Sequence, residues 1–202
     1  MRWLILFCLL LACDGDGCTP ISSDGGSLTT PSGAPYYWDS YAFPIPLHVD
    51  STQSKEFRNA IRDSVSHWEE ITGEDLFTIN LVSPNALEVL GIPMRGVIGV
   101  SISELGKNMS GKTINGQNET TLYRDDLGGD MGRIYGCIVY LDEDLKEEDY
   151  LAVMIHELGH ALTLDHDENE DSLMYYAATK DPDATITQED IERVRRMKRN
   201  EL

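Results

Sequence analysis

The clearest periodicity in the chain is a helical pattern of apolar side chains over residues 57–71. These side chains recur at intervals of four, four, three and three residues, and they are Phe57, Ile61, Val65, Trp68 and Ile71. Such spacing places them on one face of a helix. Serines within residues 51–54 can cap its start, and Gly73 can end it. We therefore predict an amphipathic helix that packs on a sheet.

The strands of that sheet are predicted from runs and alternations of apolar positions. Residues 43–49 favour a strand start or an edge strand, because Pro44 and Pro46 donate no ladder hydrogen bonds. Four further segments favour strands, and these are 77–81, 96–102, the short edge strand 120–123 and 133–141. The polar segment 103–119 is rich in glycine and asparagine, and it predicts a long surface loop.

Two more helices are predicted in the C-terminal part of the chain. The first covers residues 147–164, and its apolar face carries Leu151, Ile155, Leu158 and Leu162. The second begins near Thr187, which approximates a capping box with Asp190 three residues later. The first of these helices would turn its opposite face toward a cleft.

The N-terminal segment 1–12 consists of a positive residue and a short apolar run, which predicts an export signal. The run is too short to span a bilayer as a mature helix. Its end, Leu10-Leu11-Ala12-Cys13, resembles the bacterial lipobox and implies cleavage before Cys13 with lipid attachment to that cysteine. A plain signal peptide cleaved nearby is the alternative. We expect an exported protein, either a bacterial lipoprotein anchored in a membrane or a secreted protein.

The segment 13–35 is dominated by Gly, Ser, Thr, Asp and Pro, so we predict a flexible tether. The length of 202 residues then leaves one folded domain over residues 36–202. Cys18 and Cys137 could pair in an oxidising compartment. Cys137 lies in an apolar run, where a buried thiol is the interpretation that we favour.

The composition is strongly acidic, with 35 acidic residues, 16 basic residues and a formal net charge of −19. Repulsion from phosphate backbones argues against a nucleic acid partner. The acidic segments 125–130 and 142–144 suggest calcium, but 125–130 matches no EF-hand spacing, and an acidic glycine turn is the alternative. We expect a monomer.

Candidate chemistry is concentrated in residues 156–166, which read HELGHALTLDH. Residues four apart lie on one helix face, so His156 and His160 can occupy two corners of a tetrahedral metal site. Glu157 is then an adjacent base. A turn after Leu164 would bring His166 to the same metal. Three histidines leave one position open for water, which indicates catalytic zinc rather than a closed structural site.

The spacing of this segment resembles that of the metzincin metallopeptidases. His166 follows His156 by ten residues, and Met174 follows His166 by eight. The stretches HELGHAL, LDH and SLMY resemble the matrixin branch. The resemblance is specific at the site and extends less sharply over residues 43–200. It implies an α+β metzincin-like catalytic domain, with a twisted mixed sheet of about five strands, three main helices, and zinc in a cleft between upper and lower subdomains.

The resemblance also implies roles for individual residues. Its zinc ligands would be His156, His160 and His166. Glu157 would be the general base, and Met174 would form the Met-turn, a hydrophobic floor under the metal; a buried core methionine is the alternative. Tyr176 is a candidate oxyanion helper, for which a core aromatic is the alternative. His48 and His67 have no partner at ligand spacing, so core or surface roles are favoured for them.

Two positions depart from the matrixin pattern. The family usually has glycine where this chain has Thr163, and a β-branched residue with positive φ costs on the order of 1–3 kcal/mol. A differently built turn is therefore one interpretation. Asp167 replaces the serine that is common in matrixins after the third histidine. An aspartate at this position resembles the pattern of the adamalysin branch instead.

The predicted function is that of a zinc-dependent metalloendopeptidase acting on proteins or peptides. Glu157 would take a proton from the attacking water and deliver it to the departing amine. The edge strand 120–123 would pair with an extended substrate by strand addition. The alternative is a catalytically inactive, zinc-stabilised surface binding module. Glu157 argues against it, because a structural site tends to be closed by four protein ligands and needs no base.

Overall fold

The computed structural model describes residues 7–14, 28–29, 33–84, 88–89, 92–105, 114–124, 130–175 and 185–201. The α-helices in this part of the chain are α1 Lys55–Thr72, α2 Tyr150–Ala161 and α3 Gln188–Arg199. The strands are β1 Phe7–Asp14, β2 Ile45–Asp50, β3 Phe77–Val82, β4 Glu88–Val89, β5 Ile92–Pro93, β6 Ile98–Ser103, β7 Ile114–Arg124 and β8 Asp130–Asp142. None of the helices in the described ranges has both the length and the apolar character needed to cross a bilayer.

The main sheet is mixed and has the strand order β1-β7-β8-β6-β2-β3, while β4 and β5 pair separately. Strands β8, β6, β2 and β3 are parallel, whereas β7 is antiparallel to β8. The α+β class, the mixed sheet and the three main helices confirm the predicted fold. A sixth strand, β1, pairs antiparallel with β7 and comes from the segment predicted to be an export signal. Cleavage in that segment stays a prediction.

Strand β7 is longer than the sequence predicts. It begins at Ile114, so the loop expected over residues 103–119 was wrong for its last part. Three polar side chains of β7 are buried, those of Gln117, Asn118 and Thr120. The strand therefore carries no apolar alternation that would reveal it. Its backbone ladder with β8 holds it in the sheet.

Helix α1 begins and ends close to the predicted positions. The Ser54 side chain accepts a hydrogen bond from the Phe57 N–H at 3.1 Å, and Gly73 closes the helix at φ 67°. The predicted apolar stripe faces the core. Nε1 of Trp68 donates a hydrogen bond to the Ile155 carbonyl at 2.9 Å. This bond fastens α1 to α2, the helix that carries the histidines.

Leu28 contacts the folded domain, although it lies ahead of the predicted boundary at residue 36. Leu28 is buried, and its N–H donates a hydrogen bond to the Thr163 carbonyl at 3.1 Å. Trp38 is also buried, and its Nε1 donates to the Ala161 carbonyl at 2.7 Å. Leu28 and Trp38 are thus both held at the C-terminal end of α2.

Candidate metal centre

Helix α2 and the turn after it bring three imidazole rings together. His156 and His160 lie one helical turn apart, and both are almost fully buried. The helix ends at Ala161, and Thr163 then adopts a φ of 73°. This conformation reverses the chain direction, so that His166 returns to the same point as the two helical histidines.

The Nε2 atoms of the three histidines converge. Nε2 of His160 lies 3.1 Å from that of His156 and 3.0 Å from that of His166, and the remaining pair is 3.3 Å apart. Tetrahedral zinc with bonds of about 2.0–2.1 Å to nitrogen separates its donor atoms by roughly 3.3 Å. Within the part of the chain that the structure describes, this is the one cluster able to supply three metal-binding groups. Its donor set fits zinc.

Backbone carbonyls determine which ring nitrogen carries the proton. Nδ1 of His156 lies 2.9 Å from the Leu173 carbonyl oxygen, and Nδ1 of His160 lies 2.8 Å from that of Leu164. A carbonyl oxygen only accepts, so both Nδ1 atoms are the donors and both Nε2 atoms present a lone pair. Lone pairs facing each other at this distance repel unless a cation lies between them, which is the arrangement of metal-binding histidines.

The three imidazoles are neutral at physiological pH. Burial, helped by the neighbouring His166, lowers the pKa of His156 to about 3. Burial likewise lowers the pKa of His166 to about 4 and that of His160 well below its ordinary value. Zinc binds the neutral form of imidazole, so no ligand has to lose a proton before the metal binds.

Glu157 is fully buried where α2 faces β7. Nδ2 of Asn118 on β7 donates a hydrogen bond to the backbone carbonyl of Glu157 at 3.4 Å. The carboxyl group therefore belongs to the residue after His156 and is enclosed between the histidine helix and strand β7. Such a position suits a proton acceptor that is shielded from bulk water.

Met174 is fully buried against α2. A Cβ atom added to Gly159 of α2 would collide with Sδ of Met174. The Met174 carbonyl accepts a hydrogen bond from the Asp167 N–H at 2.8 Å, which ties this turn to the residue after His166. The Met174 sulfur thus packs on α2 at Gly159, between the two helical histidines.

Comparison with known proteins identifies the family. The matrixin model of peptidase family M10 matches residues 98–198, half of the 202-residue chain, including the histidines and the turn with Met174. The chain belongs to the matrixin family. The family implies zinc at the three-histidine cluster.

One solved structure is similar to this matrixin over most of the matrixin chain. It is metalloproteinase-II from Bacteroides fragilis, with 12% sequence identity and a TM-score of 0.44. The match covers 88% of the present chain but only 56% of that protein, so the chain spans little more than half of its length. No curated protein matches the chain.

The turn of this matrixin keeps the left-handed backbone despite the threonine. The Thr163 N–H donates to the His160 carbonyl at 2.9 Å, and the Thr163 carbonyl accepts the Leu28 N–H. Its hydroxyl lies 3.9 Å from Sδ of Met197. The interpretation of a differently built turn is therefore wrong. Thr163 adopts the left-handed conformation itself, and the surrounding contacts hold it there.

The other candidate residues lie on other elements or outside the described part of the chain. Tyr176 lies outside the described residues, so its role as an oxyanion helper stays a prediction. The backbone of Cys13 lies in β1. His48 and His67 lie on β2 and α1 and are not members of the metal-binding cluster.

The calcium suggestion gains no support from the described part of the chain. Residues 125–129 lie outside that part. The carboxylate of Asp142 accepts hydrogen bonds from the N–H groups of Leu105 at 2.9 Å and Asp144 at 3.0 Å. Asp142 therefore organises the loops at the end of β8, which is the structural alternative to a calcium ligand.

Two residues at the site were missed in the sequence, Gly116 and Asn118 on β7. Both lay in the segment interpreted as a loop. Glycine and asparagine are also common in turns, so composition alone does not distinguish a strand from a loop in this segment. The buried amide of Asn118 accepts from Thr120 Oγ1 at 2.8 Å and from Cys137 Sγ at 3.2 Å.

Proposed function

We propose that this matrixin is a zinc-dependent endopeptidase with Glu157 as the general base. The observation that carries the proposal is the convergence of the Nε2 atoms of three histidines, with a buried carboxyl group on Glu157, the residue after the first of them. The zinc ligands would be His156, His160 and His166. When bound, zinc supplies a Lewis acid that polarises the peptide carbonyl and lowers the pKa of water.

The remaining chemistry is assigned to the chain itself. Glu157 accepts a proton from the attacking water and later delivers it to the leaving amine. Burial of this carboxyl group keeps bulk water away and strengthens its electrostatic interactions. The Nδ1 hydrogen bonds of His156 and His160 orient the rings before any metal arrives. Met174 packs against α2 at Gly159.

Substrate is proposed to bind as an extended strand along the outer edge of β7. Support comes from β1, an extended segment that pairs antiparallel on this edge, with Cys13 opposite Gly116. Cleavage before Cys13 would remove most of β1 and leave the edge to a substrate. Recognition through the backbone of a strand suits an endopeptidase, because it needs residues on both sides of the cleaved bond.

The alternative, an inactive zinc-stabilised binding module, is supported less well. It accounts for the three histidines but gives no reason for a carboxyl group buried beside them. Burying a carboxyl group carries an energetic cost that a structural zinc site does not require. The described residues also supply three ligands rather than the four of a closed structural site.

The decisive experiment compares the wild type with Glu157→Gln on a peptide library, with and without a chelator. The variant should bind one zinc and unfold like the wild type. Its kcat should fall by at least roughly 10²–10⁴-fold, as expected when a general base is removed. The control Glu56→Gln changes an exposed carboxylate on α1 and should keep full activity. Undiminished cleavage by Glu157→Gln would contradict the proposal, and zinc binding without any wild-type cleavage would favour the binding module.

We also propose that the protein is exported and anchored through lipid on Cys13. The support is the lipobox resemblance at Leu10-Leu11-Ala12-Cys13. Mass spectrometry of the N-terminal peptide from a bacterial host should show a diacylated cysteine at position 13, and Cys13→Ala should abolish it. A nearby N-terminus without lipid would indicate a plain signal peptide, and an intact N-terminus would contradict export.

A further inference from the structure

Strand β7 meets helix α2 at Gly116, and the approach leaves no room for a side chain there. A Cβ atom on Gly116 would lie 2.5 Å from Oε1 of Glu157 and 2.8 Å from both its Cδ and Cγ atoms. We infer that Gly116 is a positioning residue for Glu157: strand β7 carries glycine at this point so that the carboxyl group can occupy the space of a side chain. The inference rests on the proposed role of Glu157 as the base.

The glycine is not explained by its own backbone. The positive-φ glycines of the described chain are Gly33, Gly73, Gly96 and Gly132, and Gly116 is not among them. An alanine could therefore adopt the local conformation without strain. Glycine in a strand interior weakens the strand and often marks the close approach of another group. Here that group is the side chain of Glu157.

Glu157 has no easy way to yield to a larger residue. It is fully buried, and the crowding involves its Cγ and Cδ atoms as well as the carboxylate oxygen. Rotating the far end of the side chain would not relieve contacts with Cγ. A methyl group on residue 116 would thus displace the whole side chain of the base, and a misplacement of about 1 Å at a catalytic group can reduce the rate by 10²-fold.

Asn118 holds the backbone of the same residue. Its Nδ2 donates to the Glu157 carbonyl, while its Oδ1 accepts from Thr120 and Cys137. These two donors fix the orientation of the amide, so that Nδ2 faces α2. Two residues of β7, spaced by two and thus on one face of the strand, therefore position Glu157: Gly116 shapes the space for its side chain, and Asn118 holds its main chain.

The first arm of the test measures catalysis by Gly116→Ala. The zinc content should stay at one per chain. The value of kcat should fall by roughly 10–100-fold with KM changed by less than about threefold, because the base moves while the edge that binds substrate persists. Leu81→Ala, which changes an exposed side chain on the far edge strand β3, is the control and should leave kcat and KM unchanged.

The second arm does not depend on activity and uses the zinc-free protein. Gly116→Ala should lower Tm by roughly 2–10 °C in the wild-type background through overpacking. In the Glu157→Ala background the same change should not lower Tm, because the nearest obstructing atoms all belong to Glu157. An equal loss in both backgrounds would overturn the inference.

The two arms separate this inference from the proposed function. A wild type that cleaves no peptide would refute the endopeptidase, whereas the Tm cycle would still report whether residue 116 and Glu157 compete for space. Full activity of Gly116→Ala at unchanged Tm would overturn the positioning role while the endopeptidase stands. Zinc loss from Gly116→Ala would overturn it too, since the defect would then lie in the metal ligands.

Discussion

The backbone N–H of Leu28 donates a hydrogen bond to the carbonyl oxygen of Thr163 at 3.1 Å. Thr163 is the residue that reverses the chain after α2, with a φ of 73°. A β-branched residue in this region is strained, and its carbonyl is held by a residue far away in the sequence. The N-terminal segment therefore helps to stabilise the turn that delivers His166.

Thr163→Gly should raise the free energy of unfolding by about 1 kcal/mol, because glycine adopts the left-handed conformation without the strain of a β-branched residue. Denaturant unfolding of the zinc-free protein measures the change. Thr163→Ala is the matched control: it removes the hydroxyl but keeps Cβ, so it should gain less than the glycine variant. A glycine variant less stable than the wild type would show that side-chain packing near Met197 outweighs the strain.

Zinc should stabilise the folded protein through the histidine cluster. At a free zinc concentration of about 100 Kd, the gain in unfolding free energy is roughly 2.7 kcal/mol. Adding a chelator should reverse the gain, and His160→Gln should abolish most of it because a ligand is lost. His48→Gln changes a histidine outside the cluster and should keep the response. A zinc-dependent shift that survives His160→Gln would place the metal elsewhere.

The zinc-free protein should lose stability in mild acid. The pKa of His156 drops from 6.5 in its ordinary state to about 3, and that of His166 to about 4. Between about pH 4 and pH 6.5 these histidines bind protons in the unfolded chain but not in the folded chain. The unfolding free energy should therefore be constant above about pH 6.5 and should decrease as the pH falls toward 4.

Chemical denaturation across that pH range measures the effect. A variant with glutamine at positions 156 and 166 lacks the titrating groups and should show a flatter dependence. Equal slopes for the two proteins would mean that carboxylates, rather than the buried imidazoles, govern acid unfolding.

Gly159→Ala should disturb the floor of the site. Its methyl group would collide with Met174 Sδ and lie 3.0 Å from the Trp68 ring. Overpacking of this kind costs about 1–3 kcal/mol of stability. Replacing Met174 by alanine in the same chain should relieve part of the collision, so the double variant should lose less than the sum of the two single changes. Strict additivity, measured by thermal unfolding, would show that Met174 does not pack on Gly159.

Much of the fold could be predicted because its signals are local. The stripe from Phe57 to Trp68 has a helical period, and the cap at Ser54 and the glycine at position 73 mark its ends. By contrast, β7 is held by its ladder with β8, and it buries polar side chains on both of its faces, with Gln117 on one and Asn118 on the other. A strand of that kind has no apolar alternation and was therefore predicted in part as a loop.

The sequence by itself determined the imidazole groups and the common face of His156 and His160, because residue type and a spacing of four follow directly from the chain. A turn after Leu164 made His166 the third candidate ligand, and the resemblance then added Met174. Only the tertiary structure decided that Leu28 holds the Thr163 turn, that the Leu164 and Leu173 carbonyls set the histidine tautomers, and that Gly116 makes room for Glu157. These contacts join residues distant in sequence or depend on the exact path of a turn, and neither leaves a periodic signal in the order of amino acids.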